Sequence, residues 1–144
     1  MKTITLDNLA IGLVEAVPEL RSAYEAELEW WGDEQPGVHI IFGDIFNPYL
    51  ISLLESDNQP ERLKPVFNFL EELANHEDVQ VQEVVAVTVC ERLGDRAEWL
   101  AKARQYMGKT TLSFSQEMEA FWSRDAKPPQ NGKMDKPTLS TSAT

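Results

Sequence analysis

Apolar residues recur along most of this chain at spacings of three and four, the period of helices that turn one face to a core. Leu6 to Val17 is a first, weakly amphipathic stretch. Pro18 suits the first turn of a second helix, where its missing N–H costs nothing. Leu20, Tyr24, Leu28 and Trp31 share one face of that helix, and Gly32 with Pro36-Gly37 ends it. Residues 38–46 are an apolar run. Asn47-Pro48 then reads as a cap and first-turn proline, opening a helix to about Ser56. Pro60 opens the helix with the clearest stripe, Leu63, Val66, Phe67, Leu70 and Ala74, and Pro65 within it predicts a bend. Residues 78–93 follow, with Arg92 in the last turn and Gly94 as the stop. Trp99, Leu100, Ala103 and Met107 mark a further helix closed by Gly108. Phe114, Met118, Phe121 and Trp122 mark the last one.

The predicted fold class is therefore all-α. Residues 60–95 read as one helix pair joined by the turn Asn75-His76-Glu77-Asp78 and closed by Leu93-Gly94-Asp95. That layout resembles a HEAT-type unit, which implies antiparallel hairpins stacked in a short array. The alternative is α+β. Val79-Gln80-Val81 and Val85-Ala86-Val87-Thr88-Val89 are β-branched and partly alternating, and Val38-His39-Ile40-Ile41-Phe42 could pair with them in a short sheet. Length favours helix, since residues 78–93 are long for a strand and apolar nearly all round.

From Arg124 the text changes to RDAKPPQNGKMDKPTLSTSAT, in which Met134 and Leu139 are the only large apolar residues. Such a segment buries too little surface to offset its ordering entropy. The expected organisation is a helical domain over residues 1–123 and a disordered tail over 124–144. Charge divides the same way: residues 1–100 hold 20 acidic and 6 basic side chains, residues 101–144 only 4 and 7. The net charge of −11 disfavours nucleic acid and anionic membranes and favours a basic partner. Asp7 and Asn8 interrupt what would be the apolar part of a signal peptide, and no apolar run approaches a membrane span, so a cytoplasmic protein is expected.

Little in the sequence points to catalysis. It carries no Gly-rich phosphate loop, no Gly-x-Ser-x-Gly, no Cys-x-x-Cys and no His-Glu-x-x-His. The single cysteine, Cys90, excludes an internal disulfide and sits in an apolar stretch where a buried inert thiol is expected. Glu72 and His76, four apart with Asp78 nearby, form a weak metal pattern. The plainer expectation is a cationic histidine offsetting a helix C-terminus. His39 and Asp44 do not share a helix face. No catalytic residue, metal ligand or cofactor is assigned, and the chain is expected not to be an enzyme.

The informative region is residues 25–49. Adjacent Trp30 and Trp31 cannot both face one core, because neighbouring helix positions diverge by about 100°. Trp31 goes with Leu20, Tyr24 and Leu28, which leaves Trp30 on the flank. There it is either exposed at an interface or covered by the segment 36–47. Glu25, Glu29, Asp33 and Glu34 lie around it, with Asp44 after the turn. An aromatic anchor among steering charges suits a protein interface, so Glu25, Glu29, Trp30, Asp33, Glu34 and Asp44 are the candidate partner-binding residues.

The strings Trp30-Trp31-Gly32-Asp33-Glu34-Gln35-Pro36-Gly37, Phe42-Gly43-Asp44, Asn47-Pro48-Tyr49-Leu50 and Phe69-Leu70-Glu71-Glu72-Leu73-Ala74, with Leu93-Gly94-Asp95 and Tyr106-Met107-Gly108, resemble a family of small bacterial helical proteins of unknown biochemistry. The likeness spans roughly residues 15–122. That family is similar to the immunity proteins encoded beside polymorphic or contact-dependent toxins. The resemblance implies a binder that neutralises a cognate, basic toxin domain by blocking its active site; a HEAT-like adaptor is the alternative. No binding residues come with it.

Overall fold

The computed structural model describes residues 4–56 and 60–125. These residues form seven helices and no strand, so the fold is all-α. α1 is Leu9–Ala16. A 3-10 turn, Pro18–Leu20, leads into α2, Arg21–Trp31. α3 covers residues 38–55, α4 is Pro60–Ala74 and α5 covers residues 79–93. α6 is Ala97–Arg104, and α7 is Lys109–Asp125. α7 thus runs two residues past the expected domain end, and the remainder of the expected tail lies outside the described residues.

α4 carries the stripe foreseen in the sequence, and Leu63, Val66, Phe67, Leu70 and Leu73 are all buried. α1, α3, α5 and α7 pack around it. Burying each such side chain stabilises the fold by about 1.5–3 kcal/mol, which is why this helix forms the centre. Residues 75–78 join α4 to α5 as the expected helix pair. Asp78 caps α5, its carboxylate accepting from the Gln80 N–H at 2.9 Å.

His76 in that turn is held from both sides of its ring. Its Nδ1 accepts from the Asp78 N–H at 2.9 Å. Its Nε2 donates to the Ile4 carbonyl at 2.7 Å, tying the N-terminal segment to the α4–α5 turn. The sequence shows a histidine near a helix end. Only the fold brings Ile4 to it, across 72 residues.

The β-branched stretch of α5 is helical throughout, but Val84–Cys90 is a π-helical turn. The β-branched residues there keep a helical backbone in this wider turn. α3 has a matching π-helical turn, Phe42–Phe46, and the two widened turns pack together. Asn47 lies beside this junction, only 4% exposed, and donates its amide N–H to the Thr88 carbonyl at 3.1 Å. The His39 ring is hydrogen-bonded to the Thr88 hydroxyl. Both polar contacts fall where the backbone ladders change register and leave groups to satisfy.

This arrangement corrects the expected start at Asn47. Residues 38–55 are one helix, because Ile41, Phe42, Ile45 and Phe46 continue inward the face that carries Leu50, Leu53 and Leu54. Pro48 is tolerated inside it because the π-helical turn just before has already broken the α-ladder. A second correction concerns Met107. α6 ends at Arg104, and Met107 belongs to the turn leading to α7.

Candidate protein-binding site on α2

α2 begins with good local chemistry. Pro18 occupies the first position of the preceding turn and Glu19 lies in its first turn, where a carboxylate favours the helix dipole. Leu20 is buried and Tyr24 packs against the core. Gly32 stops the helix with φ 66°, a left-handed conformation that costs other residues a steric penalty.

The rest of α2 is only loosely held. The helix contributes no fully buried residue, and Leu28 and Trp31 are half-buried rather than core as their spacing suggested. Trp31 gives its indole N–H to Glu27 at 2.9 Å. Trp30 is 79% exposed, so the segment 36–47 does not cover it. Its ring stands edge-on to that of Trp31, with centroids 5.5 Å apart and planes at 77°.

The charges around these rings are arranged against the helix. Glu25 and Glu29 are four apart, a like-charge pair that destabilises a helix by a few tenths of a kcal/mol. Glu29 lies in the last turn, with Asp33 and Glu34 just beyond, at the negative end of the dipole, and no basic residue stands in that turn. No Lys or Arg occurs between Arg21 and Arg62. Glu25, Glu29, Trp30, Asp33, Glu34 and Asp44 are all exposed. On the helical wheel Glu25 and Glu29 flank the half-buried stripe on one side and Trp30 on the other, and Asp44 belongs to the π-helical turn of α3.

Among the described residues, polar side chains also meet concave surface away from Trp30. Beside the α2 entrance, Glu19 accepts from the Tyr49 hydroxyl at 2.9 Å on a groove that includes Arg62 and Pro65. Burial and the Glu19 carboxylate push the Tyr49 phenol up to about 12, so it acts as a hydrogen-bond donor, not as a base. Between α3 and α6, Trp99 lines a groove with Ile51 and Glu55 and gives its indole N–H to Glu55 at 3.0 Å. The guanidinium groups of Arg92 and Arg96 lie 5.0 and 5.3 Å from the Trp99 ring centroid. Sequence reasoning missed this cluster, because nothing in the spacing of Glu55, Arg92, Arg96 and Trp99 joins them. Cys90 is buried as expected, and burial pushes its thiol up to about 12.

A family model described as Domain of unknown function (DUF7674) matches residues 11–123. The chain belongs to that family. No curated protein and no solved structure matches it. The DUF7674 match takes in α2 whole, together with every candidate residue from Glu25 to Asp44. Among the described residues of this DUF7674 domain, no helix is long and apolar enough to cross a membrane.

Proposed function

We propose that this DUF7674 domain is a binding protein of the immunity type, which docks a basic toxin domain of protein through α2 and neutralises it by covering its active site. The observation that carries the proposal is Trp30, 79% exposed on a helix whose acidic residues oppose its own stability. A basic partner relieves the like-charge pair and the charges at the dipole end, and it gives the exposed ring a surface to bury against. The toxin role rests on the resemblance of the sequence to immunity proteins. No catalytic step is required of the chain, because occlusion alone inhibits.

Co-expression with the products of the neighbouring genes, tested one by one for toxicity, tests this directly. The intact chain is expected to protect the cell and to co-purify with the toxin domain one to one. A variant with Glu25, Glu29, Asp33 and Glu34 all changed to Lys is expected to lose protection while remaining folded. Full protection by that variant would place the interface elsewhere. The α4–α5 pair supports an adaptor as the second reading, and assembly with several proteins at once, without protection, would favour it.

A further inference from the structure

The chain builds a tryptophan–carboxylate–arginine cluster at Trp99, where the indole N–H is bonded to Glu55 and the ring is flanked by Arg92 and Arg96. On α2 the first two parts recur. The Trp31 indole N–H is bonded to Glu27, Trp30 stands edge-on beside it, and the exposed Glu29, Asp33 and Glu34 lie within four residues of the pair along the chain. The cation is missing: among the described residues no guanidinium or ammonium lies over either ring, and the sequence offers none between Arg21 and Arg62.

From this incomplete cluster we infer that the Trp30–Trp31 edge is an arginine-recognition site, completed by a guanidinium from the basic protein that docks on α2. The inference rests on the proposed function and names the chemistry of its central contact. An arginine fits better than a lysine for a physical reason. The planar guanidinium stacks on an indole face and still donates in-plane hydrogen bonds to neighbouring carboxylates, whereas an ammonium is a strongly hydrated point charge that must give up more water. The exposed faces of Trp30 supply the stacking surface, and the acidic residues after Gly32 supply acceptors. Charge alone would attract any basic segment; the ring pair adds a preference among cations.

Short peptides test this without the natural partner. Three eight-residue peptides of identical spacing, carrying arginine, lysine or neutral citrulline at the same four positions, are titrated into the full chain. Binding is read at the indole N–H signal of Trp31 by NMR. The arginine peptide is expected to shift that signal and to bind at least about fivefold tighter than the lysine peptide. The citrulline peptide is expected to leave it unmoved. Trp30→Phe should keep part of the arginine preference and Trp30→Leu should abolish it, with unchanged melting in both. Equal binding of the arginine and lysine peptides, or an unaltered preference in Trp30→Leu, would overturn the inference. A second comparison separates it from the function itself. If the toxin domain binds the chain, and replacing its interfacial arginines one by one by lysine never weakens the complex, the recognition site is wrong and the immunity reading stands. If the arginine peptide binds as expected but the toxin is neither bound nor neutralised, the site stands and that reading falls.

Discussion

Glu71 on α4 and Gly108 before α7 approach so closely that a Cβ on Gly108 would lie 2.4 Å from the Glu71 carboxyl carbon. The Glu71 carboxylate accepts from the backbone N–H of Thr110 and of Thr111, each at 2.9 Å, and from the Thr111 hydroxyl at 2.8 Å. These are the second and third positions of α7, the N–H groups that a cap side chain normally satisfies. Gly108 stands at the cap position with no side chain to offer, and its carbonyl accepts the first helical bond, from Leu112, at 2.9 Å. The cap of α7 is therefore supplied by another helix, 37 residues earlier in the chain.

Gly108→Ala should displace that carboxylate and uncap α7. The expected cost is about 1–3 kcal/mol, combining a lost cap with local overpacking. Urea denaturation measures it, and a change below about 0.5 kcal/mol would show that Glu71 moves aside freely.

Acid should act through the same carboxylate. Burial works to raise the Glu71 pKa, but the bonds from Thr110, Thr111 and Asn75 outweigh it and hold the value at about 2, against an ordinary 4.5. A depressed folded-state pKa means that the stabilisation is complete above the unfolded value and disappears as pH falls from 4.5 towards 2. The stability gap between wild type and Glu71→Gln should therefore be largest near neutral pH and shrink across that window. A gap that does not change with pH would assign the effect of the variant to packing.

The two differently placed tryptophans should separate cleanly on replacement. Trp99 is 8% exposed and bonded to Glu55, so Trp99→Ala should cost about 3–5 kcal/mol. Trp30→Ala should stay within about 0.5 kcal/mol of wild type, because little of that ring leaves water on folding. A sharp fall in the melting temperature of Trp30→Ala would make it a core residue and remove the basis for the α2 interface.

Binding kinetics should divide the α2 face into two roles. Changing Glu25, Glu29, Asp33 and Glu34 to Lys should mainly slow association, because exposed charges steer encounter and are screened over roughly 8–10 Å at ordinary salt. Trp30→Ala should mainly speed dissociation, by about 30-fold if the ring contributes about 2 kcal/mol as a buried anchor. Stopped-flow mixing with the proposed basic partner at two salt concentrations distinguishes these effects. A charge variant that associates at the wild-type rate in low salt would count against steering by this face.

Asn47→Ala should destabilise by about 1–3 kcal/mol, since it leaves the Thr88 carbonyl without its partner at a buried junction. Thermal melting reads this directly. A neutral outcome would mean that water replaces the amide there.

The sequence by itself determined the stripe of α4, the buried Cys90 and the stop at Gly32, and it favoured the all-α class and the α4–α5 pair while leaving a short sheet over residues 79–89 open until the fold showed them helical. Each follows from periodicity or from the chemistry of one residue and its close neighbours, which is information the linear text contains. It also marked Trp30 as a flank residue, since adjacent helix positions must diverge. Whether that flank was open or covered depended on where the segment 36–47 passes, and the fold decided it: Trp30 is exposed. The continuity of α3 through Asn47-Pro48, the meeting of its widened turn with that of α5, the seat of His76 on Ile4 and the cap that Glu71 gives to α7 were also settled only in three dimensions. Each of the last three joins groups far apart along the chain. Local spacing carries no record of such pairs, because they form only when separate helices pack and buried backbone groups must find whatever partner the packing brings within reach.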